Sequence, residues 1–202
     1  MLKTLTHRPI EPSVLYFGTP VSLISTVDES GVPNLAPMSS SWYLDRTVVL
    51  GISRQGQTIR NLERTSECVV NLPDVSLQPE VERLAPLTGR SPVPSSKSDR
   101  FRFEPDKYAA AELTPTPSEC VSPPRVLECP VHLEAHVTRV HDPTSRDFAI
   151  VEAEVLRVHA RSDIVVDGTS HIDLERWSPL LYVFRHYFGT GADVGRSFRA
   201  EY

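Results

Sequence analysis

Between Pro20 and Pro73 the chain alternates apolar and polar positions with a period of two, Val21, Leu23, Ser25 and Val27 against Ser22, Ile24 and Thr26. That is the pattern of a half-buried strand. Asp28-Glu29-Ser30-Gly31 supplies the residues that reverse a chain, which predicts a hairpin. After an elbow at Asn34 to Ser41, Thr47-Val48-Val49-Leu50-Gly51-Ile52 forms a continuous apolar run suited to burial on both faces. Polarity resumes at Ser53-Arg54, Gln57-Thr58 opens a short helix, and Cys68 begins another apolar strand.

Prolines punctuate the middle of the chain. Eighteen prolines against nine glycines cluster between Pro73 and Pro130, where long connections are expected. Pro79 to Ala85 suits a short helix with its proline in the first turn, where a missing N–H costs nothing. Arg90 to Arg102 reads as an exposed loop, and Asp106 to Leu113 as a second short helix. Loops of this kind often cover sites on a rigid barrel. Beyond Pro124, Val131, Leu133, Ala135 and Val137 alternate with His132, Glu134, His136 and Thr138, again a half-buried strand. Asp142-Pro143-Thr144-Ser145 makes a turn, and Phe148 to His159 returns as the antiparallel partner. Ile164-Val165-Val166 predicts a short strand before the Asp167-Gly168 turn. Many strands and few short helices predict a mainly β chain, an antiparallel barrel closed or nearly closed, and not a parallel sheet with crossover helices.

At 202 residues the chain suits one domain, with 1–13 an N-terminal extension and 189–202 either a disordered end or an arm that orders against another subunit. A net charge of -5, with 21 basic and 26 acidic residues spread along the chain, offers no basic stripe for nucleic acid. Neither a signal-peptide core near Met1 nor a membrane-length apolar run of ~20 residues is present, so a soluble, cytoplasmic protein is expected. Cys68, Cys120 and Cys129 are odd in number and lack a Cys-x-x-Cys pair, which argues against a disulfide framework and a zinc cluster. A Cys120–Cys129 bridge stays open on sequence but is disfavoured in a reducing compartment.

Five segments in register carry a family resemblance: Ser25-Thr26-Val27-Asp28, Pro33 to Ser40, Ile52-Ser53-Arg54, Gln57 to Leu62, and Cys68 to Leu72. Together they resemble the flavin reductase-like family of FMN-binding split barrels, with weaker similarity continuing to about residue 185. The resemblance implies an antiparallel split β-barrel that forms a homodimer and holds FMN noncovalently near the subunit interface. FAD would serve as an exchangeable flavin and NAD(P)H as electron donor.

Pro33 and Pro37 bracket a segment expected to leave the regular ladder, because proline lacks an N–H. Asn34, Pro37, Met38, Ser39 and Ser40 would then read the edge of the isoalloxazine ring, with Met38 or Trp42 on its face. A Pro-containing bulge at a barrel rim is the plain structural alternative. Ser53, Arg54, Gln57 and Thr58 lie where a strand gives way to a helix N-terminus, a place suited to a phosphate. Their structural alternatives are an N-cap for Thr58 and a solvated strand end for Arg54. Family members usually place an acidic residue where Gln57 stands. Asn61 either bonds the cofactor or caps a neighbouring loop. Leu180 to Phe188 resembles the closing segment of the family, which makes Arg185, with His186 and Tyr187, a candidate cofactor or substrate contact. His132, Glu134 and His136 tempt a metal reading, but side chains two apart on a strand sit about 6.5–7 Å apart along it. A solvated or dimer-facing polar row is the favoured reading, and no metal is expected.

Many two-component flavin reductases carry Gly-Asp-His where this chain has Arg146-Asp147-Phe148. The leading expectation is an NAD(P)H-dependent flavin reductase that passes electrons to flavin or to a partner monooxygenase. The alternatives are an FMN-dependent oxidase or dehydrogenase for a small organic substrate, and a flavin-binding electron carrier without turnover of its own. No side chain is assigned a catalytic role.

Overall fold

The structure, a computed structural model, describes residues 7–142 and 147–198. Pro143 to Arg146, which include most of the expected turn, and the last four residues of the tail lie outside the described residues, as do the first six.

The chain opens with β1 (Phe17–Pro20), the hairpin β2 (Ser22–Val27) and β3 (Pro33–Met38), then β4 (Ser41–Leu44) and β5 (Thr47–Ser53). Helix α1 (Gln57–Thr65) leads into β6 (Glu67–Leu72), and α2 (Gln78–Leu84) follows a single 3-10 turn. Two short pairs lie in the Pro-rich region. The parallel β7 (Leu87–Thr88) and β8 (Arg102–Phe103) precede α3 (Lys107–Ala110), and β9 (Pro115–Thr116) pairs with β10 (Arg125–Val126) after it. The long strands β11 (Val131–His141) and β12 (Phe148–Ala160) and the hairpin β13 (Leu181–Val183) and β14 (His186–Phe188) complete the chain.

Seven strands pair antiparallel in the order β3-β2-β6-β11-β12-β5-β4. β3 and β4 are consecutive in sequence yet sit at opposite edges, joined only by Ser39-Ser40, so the sheet must curl until its edges approach. Hydroxyls span the remaining gap: Ser22 Oγ lies 2.8 Å from the Tyr43 hydroxyl and 3.3 Å from Ser41 Oγ. The result is the split antiparallel barrel that the strand pattern and the resemblance predict. Ile24, Val48, Leu50, Val70 and Val151 fill it, and α1 adds Ile59 and Leu62 from its buried face. A second core, with Leu23, Leu35, Val81, Leu84 and Tyr108, packs α2 and α3 against the outside of β2 and β3. None of the described helices is long and apolar enough to cross a membrane.

Four local expectations are corrected. The segment bracketed by Pro33 and Pro37 stays in regular register with β2 from Pro33 to Met38. It can do so because β3 is an edge strand, where the imide nitrogens face away from the ladder and forfeit nothing. The irregular part shrinks to Ser39-Ser40. Ile164 ends a 3-10 turn, and Val165 makes one bridge to Ile172 instead of continuing as a strand. Helix α3 spans only Lys107–Ala110. The polar row on β11 is not solvated at its start: His132 and Glu134 are buried beneath the Pro-rich connection, whose Glu119 and Cys120 amides bond the Glu134 carboxylate, and only His136 is exposed. Alternation could not reveal this, because a loop remote in sequence supplies the cover. All three cysteines are free.

Candidate functional site

Where β5 ends, backbone donors are left over. Gly56, extended at φ -87°, is the N-cap of α1 and places no side chain to accept from the first turn. An α-helix leaves its first N–H groups without intrahelical partners, and its dipole makes that end favourable to anions. Ser53, Gly56, Gln57 and Thr58 all face one cavity of about 790 Å³. The elbow forms the adjoining wall, with Pro37, Met38, Ser39 and Ser40. Gly51 permits its approach, because a Cβ there would stand 3.1 Å from Ser40 Cβ, while the Gly51 amide donates to the Ser40 carbonyl at 2.7 Å.

Buried amides and hydroxyls behind this wall lock α1 to the barrel. Asn34 Nδ2 donates to Thr58 Oγ1 at 3.2 Å and Thr26 Oγ1 at 3.3 Å. Asn61 Nδ2 donates to the same Thr26 oxygen at 3.0 Å, and Asn61 Oδ1 accepts from Gln57 Nε2 at 2.8 Å. The first turn of α1 is thus held by partners on β2 and β3. Gly89 closes over the network, and a Cβ there would meet Asn34 Oδ1 at 2.6 Å and Gln57 Cβ at 3.2 Å. Asn34 and Asn61 serve here as buried tethers set back from the cavity lining.

The opposite flank comes from the Pro-rich connections and the chain ends. Val81, Ala85 and Leu87 give it an apolar floor, and Lys97, Phe101 and Lys107 border it. Lys107 is only 4% exposed, and its Nζ donates to the Leu35 carbonyl at 2.9 Å. Burial, and secondarily the positive charge of Lys97, pulls the Lys107 ammonium down to about 8. Lys97 stands 5.4 Å over the Phe101 ring, and burial and Arg90 lower its ammonium as well. Arg90 is in turn lowered by burial and by Arg60. Lys97 and Lys107 thus bring positive charge to this flank, with Arg90 near Lys97 and Arg60 of α1 near Arg90.

An aromatic wall closes the far end. Tyr16 meets Tyr182 edge-on at 5.2 Å, Tyr182 lies 5.4 Å from Tyr187, and the Tyr16 hydroxyl shares a 3.1 Å hydrogen bond with Ser40 Oγ. Tyr187 donates to Glu82 at 2.9 Å. Burial pushes its phenol up, and the adjacent carboxylate adds to that.

Of the residues singled out in the sequence, Pro37, Met38, Ser39, Ser40, Ser53, Gln57 and Thr58 converge on the cavity. Arg54 points elsewhere, its guanidinium paired with Glu63 and Asp142. Arg185 sits at positive φ in the tight turn between β13 and β14, outside the lining, and Trp42 is 52% exposed on β4. Tyr187 does line the cavity, whereas His186 does not. Asp147 and Phe148 border it where the sequence departs from the Gly-Asp-His pattern, and Arg146 lies outside the described residues. Sequence reasoning missed Tyr16, Lys97 and Lys107. The only signal for Lys107 was a lysine opening a short helix in a Pro-rich connection. Among the described residues no group of three metal-ligating side chains comes together.

A curled split barrel with anion-ready amides, hydroxyls and aromatic rings around one cavity defines a class of cofactor-binding domain, and the comparisons identify it. Residues 14–191 match the model of the flavin reductase like domain, and the chain belongs to that family. It is 44% identical over 200 residues to the uncharacterized protein YdfE of Bacillus subtilis, covering 98% of this chain and 96% of that protein. Among solved structures it is similar to flavoredoxin of Desulfovibrio vulgaris, with a TM-score of 0.80 at 18% identity over 96% of this chain and 99% of that one. Nitrilotriacetate monooxygenase component B from Bacillus cereus gives a TM-score of 0.73 at 21% identity over 92% and 89% of the two chains. At these identities the structural likeness speaks for the fold.

Proposed function

We propose that the protein is a single-domain FMN-binding oxidoreductase and works as an NAD(P)H-dependent flavin reductase that passes electrons to an exchangeable flavin or a partner monooxygenase. The observation that carries the reading is the uncapped N-terminus of α1 opening, beside Ser53, into the same cavity as the Met38-Ser39-Ser40 elbow.

The residues present fit the cofactor. A phosphate needs donors in a concave, positive setting, and the first-turn amides of α1, the Ser53 and Thr58 hydroxyls and the field of Arg60 and Arg90 provide it. A flat heteroaromatic ring needs an apolar face and edge donors, which Met38, Ser39 and Ser40 supply. FMN, when bound, contributes reversible hydride and electron transfer. The chain's own work is to hold and orient that group and to exclude water with Tyr16, Phe148 and Tyr182. Tyr16 also fixes the Ser40 hydroxyl, so the elbow presents its donors in a set direction.

A homodimer belongs to the same reading. Trp42 and Leu44 on the edge strand β4, with Leu156 and Val158 on β12, are exposed apolar side chains, and a second copy covering them would take that surface out of water.

Phe148 and Asp147 at the cavity edge favour one rival, an FMN-dependent enzyme whose electron donor is a small organic molecule. Anaerobic mixing of the FMN-loaded protein with NADH or NADPH separates the two. Rapid bleaching of the flavin absorption is expected, and no bleaching by either nucleotide would overturn the reductase reading while leaving the rival in place.

A further inference from the structure

Lys107 poses a problem of charge. A buried ammonium is costly unless paired, and proteins ordinarily supply a carboxylate for it. Lys107 has one hydrogen-bond partner, the Leu35 carbonyl, and among the described residues no carboxylate pairs with it or with Lys97. The acidic groups nearest in sequence are occupied elsewhere: Asp106 caps α3 through the Ala109 amide, and Glu104 accepts from the Asp106 amide. Both lysines line the same cavity, where burial and the charge of Lys97 depress the Lys107 ammonium and burial and Arg90 depress that of Lys97. An anion entering the cavity would relieve both costs at once.

We propose that Lys97 and Lys107 form an anion subsite that takes the carboxylate of a small organic acid, the second substrate of the cavity. The inference rests on the flavin-binding reading above and names the substrate class for the same site. The phosphate of FMN has its own place at the N-terminus of α1. Lys107 instead rises from α3, and the floor of that flank is Val81, Ala85 and Leu87. In such apolar surroundings a monoanion costs less to strip of water than a dianionic phosphate, and the three aliphatic side chains suit the body of a small acid. A carboxylate bonded by Lys107 and Lys97 would gain charge-assisted hydrogen bonds that a neutral analogue cannot make.

The test is isothermal titration of the FMN-saturated protein with benzoate and with benzamide, which share a ring and differ in charge. Benzoate is expected to bind about tenfold tighter than benzamide, a difference of about 1.4 kcal/mol. Lys107→Met should erase that preference and Lys97→Met should reduce it, while FMN affinity in both stays within about twofold of the parent. Equal binding of the two probes, or binding of neither, overturns the proposal. A Lys107→Met protein that loses FMN but keeps riboflavin overturns it too, because the phosphate would then be the occupant. Should Lys107→Met not fold, Lys97→Met decides, and an unchanged preference in it counts against the subsite. Failure of FMN to bind at all is a separate result that removes the flavin reading. Titration of the flavin-free protein with the same two probes then still decides for or against the lysine pair.

Discussion

The cavity beside α1 and the buried face of β11 use similar side chains in opposite ways. On β11, Glu134 is fully buried and accepts from the amides of Glu119 at 3.0 Å and Cys120 at 2.6 Å and from His159 Nε2 at 2.7 Å. His132 Nε2 donates to the Val126 carbonyl at 2.7 Å. Around the cavity donors stay open, with an uncapped helix, the exposed Ser53 hydroxyl and a buried ammonium that no carboxylate among the described residues pairs. A polar group whose bonds are made within the chain holds the fold together, and one whose bonds are not made is available to a ligand.

The largest effect that would break this contrast is at Glu134. Glu134→Ala leaves two amides and His159 without their acceptor and should destabilise the protein by about 3 kcal/mol in urea unfolding. FMN affinity of the folded fraction should be unchanged, and a matching loss of FMN would put β11 in the site. Acid adds a second handle. Burial raises the Glu134 carboxyl, but the Glu119 and Cys120 amides and His159 outweigh it and leave it below its ordinary value. The group therefore contributes stability above its unfolded pKa of about 4.3, and that contribution fades as pH falls through the lower folded value. Glu134→Gln should flatten this acid limb in pH-dependent unfolding, and an unaltered slope would contradict the assignment.

Gly89→Ala comes next. Its Cβ must displace Asn34 Oδ1 or Gln57, costing about 1–3 kcal/mol. Because Gln57 and Thr58 open α1, FMN should weaken more than stability alone explains, as fluorescence titration would reveal. The smallest effect is expected at Arg54. Its pairing with Glu63 and Asp142 at the surface predicts a loss of no more than about 1 kcal/mol for Arg54→Ala. The ratio of FMN to riboflavin affinity should hold, and a selective loss of FMN would place the guanidinium on the phosphate after all.

Much of the barrel was legible because it is written locally. The period-two runs at Val21 to Val27 and Val131 to Val137, and the Asp28 to Gly31 turn, each contain their own signal. The start of α1 was legible for the same reason, whereas the elbow expected over Asn34 to Ser41 narrowed to Ser39-Ser40. Other features depend on partners distant in the chain. Edge placement keeps Pro33 and Pro37 in a regular ladder, a remote loop buries Glu134, and acidic neighbours on α1 and just after the end of β11 draw Arg54 away from the cavity. Lys107 and Tyr16 reach the cavity only through packing of α3 and of the segment before β1, which no periodicity encodes.

The central claim is that open donors at the start of α1 hold a flavin phosphate, and it is met most directly by comparing FMN with riboflavin as ligands of the purified flavin-free protein. Quenching of flavin fluorescence should give one FMN per chain, bound at least about tenfold tighter than riboflavin. Equal affinities, or no quenching by FMN, would contradict it.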